Sequence, residues 1–261
     1  MADAGHVEAR AGAAAVPERS GAYSDRGAAG AAWRNTTHDW AAGVDSGHLS
    51  RIREDAAAFA PGGLRHLVLE VVAYAADEAE SRGGGRCTVT LHADGSVSVA
   101  DDGRGTDTRF DDAGRAVRKP VMATKDLRFF DHPEPPPLPD GHPRRGMSVV
   151  AALSAWLVHT NRRAGGAWTQ RYAYGVPVTG LTPVADDGTT GTLVHFRPAE
   201  ALPAPDGPGG PDGPDGPDGP ASAGTTAAWA GSWPYLSVEV LDRRTGLSRP
   251  RPRPPRAGRP G

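Results

Sequence analysis

Cysteine is almost missing from this 261-residue chain: Cys87 stands alone. That excludes an intramolecular disulfide and any multi-cysteine metal site, and it fits a reducing compartment. Long apolar runs are missing too. No window approaches the roughly twenty apolar residues that cross a bilayer. The opening MADAGHVEARAGAAAVPERSG carries acidic residues and lacks the apolar stretch of a signal peptide. The expectation is a soluble, cytoplasmic protein with no membrane partner. An excess of charge of one sign is also lacking, since the net charge of -2 gives no global attraction to nucleic acid. The nine histidines sit at scattered spacings without cysteine or carboxylate partners, which argues against zinc.

What is abundant is glycine, at 35, and proline, at 25, and both are clustered. They divide the chain. Residues 1–45 are an Ala/Gly-rich leader with no sustained period, expected to be disordered. Residues 46–246 carry the patterned sequence, interrupted by a Gly/Pro/Asp-rich loop at 203–224 that contains PDGPDGPDGP. Its near-triplet rhythm is too short for a triple helix, so a solvated insertion is expected. The tail 247–261 is Arg/Pro-rich and cannot pack; any contact with DNA is left to it.

Within 46–246 the periods alternate. Over 64–79, Val68, Val71, Val72, Ala75, Ala76 and Ala79 share one helical face, and Glu70, Tyr74 and Asp77 share the opposite one. TVTLHADGSVSVADDG predicts a hairpin about Asp94-Gly95. MSVVAALSAW predicts a second helix, WLVHTNRRAGGAWTQRYAYG two strands, and TGTLVHFRP and SVEVLDRR one strand each. RYAYG and its neighbouring tryptophans are expected to fill the core. Helix, hairpin, helix and further strands make an α+β sandwich.

Glu70, taken alone, is a carboxylate on the polar side of an amphipathic helix, where a solvated charge is the ordinary reading. Its company is informative. DDGRG, at 101–105, ends a strand with two carboxylates and two glycines, a turn that lets backbone approach a ligand. GMSVV opens a helix behind a glycine, and Gly191-Thr192 begins a strand with a hydroxyl.

Taken in order, LEVVAYAADEA, HADGSVSVADDGRG, GMSVVAALS, YGVPV and GTLVHF resemble, element by element, the N-terminal ATPase domain of the gyrase B and topoisomerase IV family. That family belongs to the wider GHKL group of ATPases, and the resemblance runs over about 48–246. It implies a two-layer α/β sandwich of Bergerat type, with helices packed on one face of a mixed sheet and ATP held under a mobile lid. By the same resemblance Glu70 matches the general base that activates water against the γ-phosphate. Asp101 matches the carboxylate that receives the adenine amino group. Gly103 and Gly105 match the glycines against which the base lies, and Thr192 the threonine that supports the adenine contact.

Two positions depart from the pattern. The family's magnesium-binding asparagine, one turn after the glutamate, is Tyr74 here, and a phenol with an ordinary pKa near 10 is a poor ligand for a hard cation. The lid motif keeps Gly141 and Gly146 but has Arg144 in place of its middle glycine, followed by Arg145. Either the two arginines bind phosphate by charge or they solvate a degenerate loop. The resemblance also implies a transducer domain and an acidic metal-binding domain in gyrase B; neither follows in this sequence, so no DNA cleavage is expected of it. The reading favoured is a stand-alone ATP-binding domain with weak or no hydrolysis, little role for Mg2+, and a protein partner left open. The alternatives are a gyrase B-like ATPase completed by partner subunits, and a DNA-associated accessory protein acting through its tail.

Overall fold

Cys87, Val89 and Leu91 alternate with Thr88 and Thr90, and in a computed structural model of the chain they become the second strand from one edge of a wide sheet. The structure describes residues 43–106, 109–114, 116–117, 120–200, 202 and 233–244. The leader up to 42, the loop 203–224 and the tail 247–261 lie outside the described residues. In chain order the elements are α1 (Ser46–Glu54), α2 (Ala56–Phe59), α3 (Gly63–Arg82), β1 (Gly85–Leu91), β2 (Val97–Asp101), β3 (Arg109–Phe110) and β4 (Ala116–Val117). After a 3-10 turn (Pro120–Met122) come α4 (Met147–Ala152), β5 (Ser154–Arg163), β6 (Gly166–Ala173), β7 (Val176–Pro177), β8 (Thr182–Pro183), β9 (Gly191–Pro198) and β10 (Leu236–Asp242).

The main sheet runs β10-β1-β2-β9-β5-β6-β7, with β8 also on β6, and β3 and β4 form a separate ribbon. β10 lies parallel to β1; the other pairings are antiparallel. Register puts Val89 opposite Val99, Val99 opposite Val194, and Phe196 opposite both Val97 and Leu157. Those side chains share one face and meet Leu67, Val68, Val71 and Val72 of α3 and Val149 and Val150 of α4 in the core. Leu157 and Phe196 are completely buried, and each contributes roughly 1.5–3 kcal/mol by leaving water. This is the expected α+β sandwich, with helices on one face of a mixed sheet.

Three local expectations change. The hairpin turn holds three residues rather than two: the His92 amide donates to the Ser96 carbonyl and Gly95, at φ 81°, donates to that of His92. The second helix stops at Ala152 because residues from Ser154 onward are claimed by β6 and β9, while the Ser154 hydroxyl turns back to the Val150 carbonyl at 2.6 Å. The aromatic residues expected in the core divide. Tyr172 is buried, but Tyr174 is 45% exposed. Trp156 packs edge-on against His195, 4.9 Å between centroids, with the Arg171 guanidinium over its ring.

Candidate functional site

β2 ends at Asp101, and that ending sets the first half of the site. The Asp101 carboxylate accepts the Gly103 amide at 2.8 Å and faces the amide and hydroxyl of Thr192 at the start of β9. Burial raises its pKa, and these polar neighbours pull against the rise. The packing leaves no room for side chains. A Cβ on Gly191 would stand 2.0 Å from the Asp101 carbonyl oxygen, and one on Gly105 would stand 2.2 Å from that of Arg162. Both glycines also have positive φ, 119° and 69°.

The loop after β2 is fastened on two sides. Toward α3, Arg104 forks onto Glu78 at 2.7 and 3.0 Å, and this guanidinium holds the Glu78 carboxyl below its usual pKa. Toward the sheet, the Asn161 side chain on β5 imitates a neighbouring strand: its Oδ1 accepts the Thr106 amide at 2.7 Å and its Nδ2 donates to the Thr106 carbonyl at 2.9 Å. Asn161 lies opposite Thr192 in the ladder, so one strand position supports both the loop and the Asp101 contact. Sequence reading does not single out Asn161, because its role depends on register.

The second half of the site lies along α3. His66, Glu70, Tyr74 and Asp77 form a stripe on this helix, spaced by three or four residues. Every member bonds to the segment that precedes α4. His66 Nδ1 is 2.8 Å from Asp140. The Tyr74 hydroxyl donates to Asp126 at 2.8 Å, and Arg144 forks onto Asp77 at 3.0 and 2.8 Å. Glu70 accepts the backbone amides of both Arg145 and Gly146, the latter at 2.8 Å.

Glu70 is therefore not the solvent-facing charge its helical position suggests; it is 0% exposed. Its Oε1 is also 3.5 Å from His66 Nε2, an ion-pair separation rather than a hydrogen bond. Burial alone would lower the His66 pKa, but the carboxylates of Asp140 and Glu70 outweigh it and raise it to about 9. An imidazolium thus joins Glu70 to Asp140. His66 escapes the sequence reading although it stands one turn before Glu70. Asp126 and Asp140 give no signal, lying in a stretch with no period.

The amides of the lid motif are committed within the protein. Gly141 donates to the Leu138 carbonyl at 2.8 Å, His142 to Asp140 at 3.1 Å, and Arg144 to the Pro136 carbonyl at 2.9 Å. Gly141 belongs to its own turn, whereas Arg144, Arg145 and Gly146 gather with Glu70 and Tyr74.

The position that the resemblance assigns to Mg2+ does not fit that ion. The Tyr74 phenol keeps its proton, because burial and the neighbouring Asp126 charge push its pKa well above 10. Its ring is covered by the Arg144 guanidinium, 4.6 Å from the centroid. Among the described residues no three His, Cys, Asp or Glu side chains are grouped so as to hold a metal ion. Cys87 is buried in β1, which pushes its thiol up to about 12 and leaves it inert. No helix among the described residues is long and apolar enough to cross a membrane.

Over 137 residues, 52% of its length, the chain is 37% identical to the DNA gyrase B protein of Thermotoga maritima, of which it covers 22%. It is 36% identical over 137 residues to the DNA topoisomerase 4 B protein of Bacillus subtilis, covering 21% of that protein. It is 38% identical over 146 residues to the mitochondrial DNA gyrase B protein of Arabidopsis thaliana, covering 20%. No family model matches the chain. The chain spans about a fifth of the length of these curated relatives. Homology and architecture agree on a gyrase B-like domain.

Proposed function

We propose, from its homology to gyrase B-type proteins over half its length, that this domain binds an adenine nucleotide and hydrolyses it weakly or not at all. Asp101, Thr192, Gly103 and Gly105 form the end that receives the base. The Asp101 carboxylate is held by the Gly103 amide beside Thr192, and the backbone around it is packed too closely to admit any side chain. The Arg-rich tail carries none of the proposal.

The observation that supports weak turnover is the state of Glu70. A general base needs a lone pair directed at a water molecule. Both Glu70 oxygens are instead committed to lid amides in a site without solvent exposure. The competing reading, an ATPase completed by partner subunits, draws support from the same contact, because a clasp made of lid backbone opens whenever the lid moves. Calorimetric titration with ATP and a steady-state phosphate-release assay, each on the wild type and Glu70→Gln, separate the two. The expected result is ATP binding with release no faster than in the variant. Release that disappears with Glu70→Gln establishes the ATPase instead.

A further inference from the structure

The two departures from the gyrase B pattern, Tyr74 on α3 and Arg144 in the lid, touch each other. The Arg144 guanidinium lies 4.6 Å from the Tyr74 ring centroid and 4.4 Å from that of Phe129. Asp126 secures the platform by accepting the Tyr74 hydroxyl and by forking with Arg128, whose guanidinium covers the Phe129 ring at 4.7 Å. Two aromatic rings thus hold a permanent positive charge at the lid end of the site.

That charge is poised rather than spent. The Arg144 side chain is 8% exposed, and its Nε–H has no acceptor among the described residues, an unmet demand in a buried place. Its carboxylate partner, Asp77, is 47% exposed, and a pair with one half in water holds weakly. The rings keep the guanidinium in position whether or not Asp77 stays paired. A divalent cation beside this charge would be repelled, and it would find a proton donor where it needs an oxygen ligand.

We propose that Arg144, seated on Tyr74, is the resident cation of this site and receives nucleotide phosphate without a divalent metal ion. The proposal rests on the adenine-nucleotide reading above. It makes the two departures a single substitution, of a bound metal by a fixed guanidinium. Binding of the phosphates is then independent of magnesium, and Asp77 competes with them for Arg144.

The test is calorimetric titration of the full chain with ADP and with adenosine, in magnesium and in EDTA. ADP affinity is expected to change less than about twofold between the two buffers. Arg144→Met weakens ADP by about tenfold in both and leaves adenosine unchanged, while Asp77→Asn tightens ADP. Arg144→Lys, which keeps the charge and loses the stacking, retains metal independence at intermediate affinity and serves where the methionine variant fails to fold. A tenfold loss of wild-type ADP binding in EDTA overturns the proposal. So does an Arg144→Met variant that weakens adenosine as much as ADP, since that marks a purely structural role. Failure of wild type to bind either ligand in either buffer overturns the nucleotide reading itself, and this inference with it.

Discussion

At the sheet end of the site, Asp101, Thr192, Gly105 and Gly191 are placed by strand register and by backbone approaching backbone; at the lid end, His66, Glu70, Tyr74 and Asp77 are placed by charge and hydrogen bonds to a separate segment. The first end tolerates no added volume. The second is held by paired charges and hydrogen bonds. On the proposed function, the first end meets the base and the second meets the phosphates.

Substitutions can break this contrast, and the largest effect belongs to the sheet end. Gly191→Ala drives a Cβ to 2.0 Å from the Asp101 carbonyl at a φ of 119°, and a loss on the order of 4 kcal/mol in urea unfolding is expected. A loss under about 1 kcal/mol shows that β2 and β9 can separate at little cost.

At the lid end the lever is pH. His66 has a folded pKa of about 9 against 6.5 ordinarily, so its stabilising contribution is complete below pH 6.5 and disappears as pH rises through 9. For this buried group, on the order of 2–3 kcal/mol of stability is expected to vanish across that interval in thermal melts. His66→Gln flattens the dependence. A wild-type profile flat from pH 6.5 to 9.5 refutes the charged His66 bridge.

Asn161→Leu is the mildest change, because it removes only the two bonds to Thr106 and keeps the branched skeleton of the side chain. A loss of about 1–2 kcal/mol is expected, with faster hydrogen exchange at the Thr106 amide. Unchanged exchange there means that Arg104 and Glu78 hold the loop without help from the sheet.

The same contrast explains what is legible in the sequence. Strands announce themselves through alternation in TVTLHADGSVSVADD and GTLVHF, and Asp101 and Thr192 come together because they end and begin such strands. α3 is legible from its apolar face, but not the burial of Glu70, which depends on a lid segment covering the opposite face. That segment, with Asp126, Phe129 and Asp140, has no period, and its structure comes from partners far along the chain. The contact between Tyr74 and Arg144 is invisible for the same reason, although each residue is conspicuous alone. The helix pattern overruns the end of α4 because the residues there serve a helix and a strand equally, and pairing on both sides of β5 decides the matter.

The position of β10 beside β1 bears on how the chain is made. β1 receives β2 almost at once through a short hairpin, yet its other edge waits for Leu236–Asp242, after nearly the whole domain has been synthesised. A parallel neighbour from so far downstream is a slow closure, and until it arrives the amides and carbonyls along the open side of β1 form a template for strands of other chains. Truncation before residue 236 would leave β1, with its buried Cys87, Val89 and Leu91, as the sheet edge in place of β10, whose Ser237 and Glu239 are exposed.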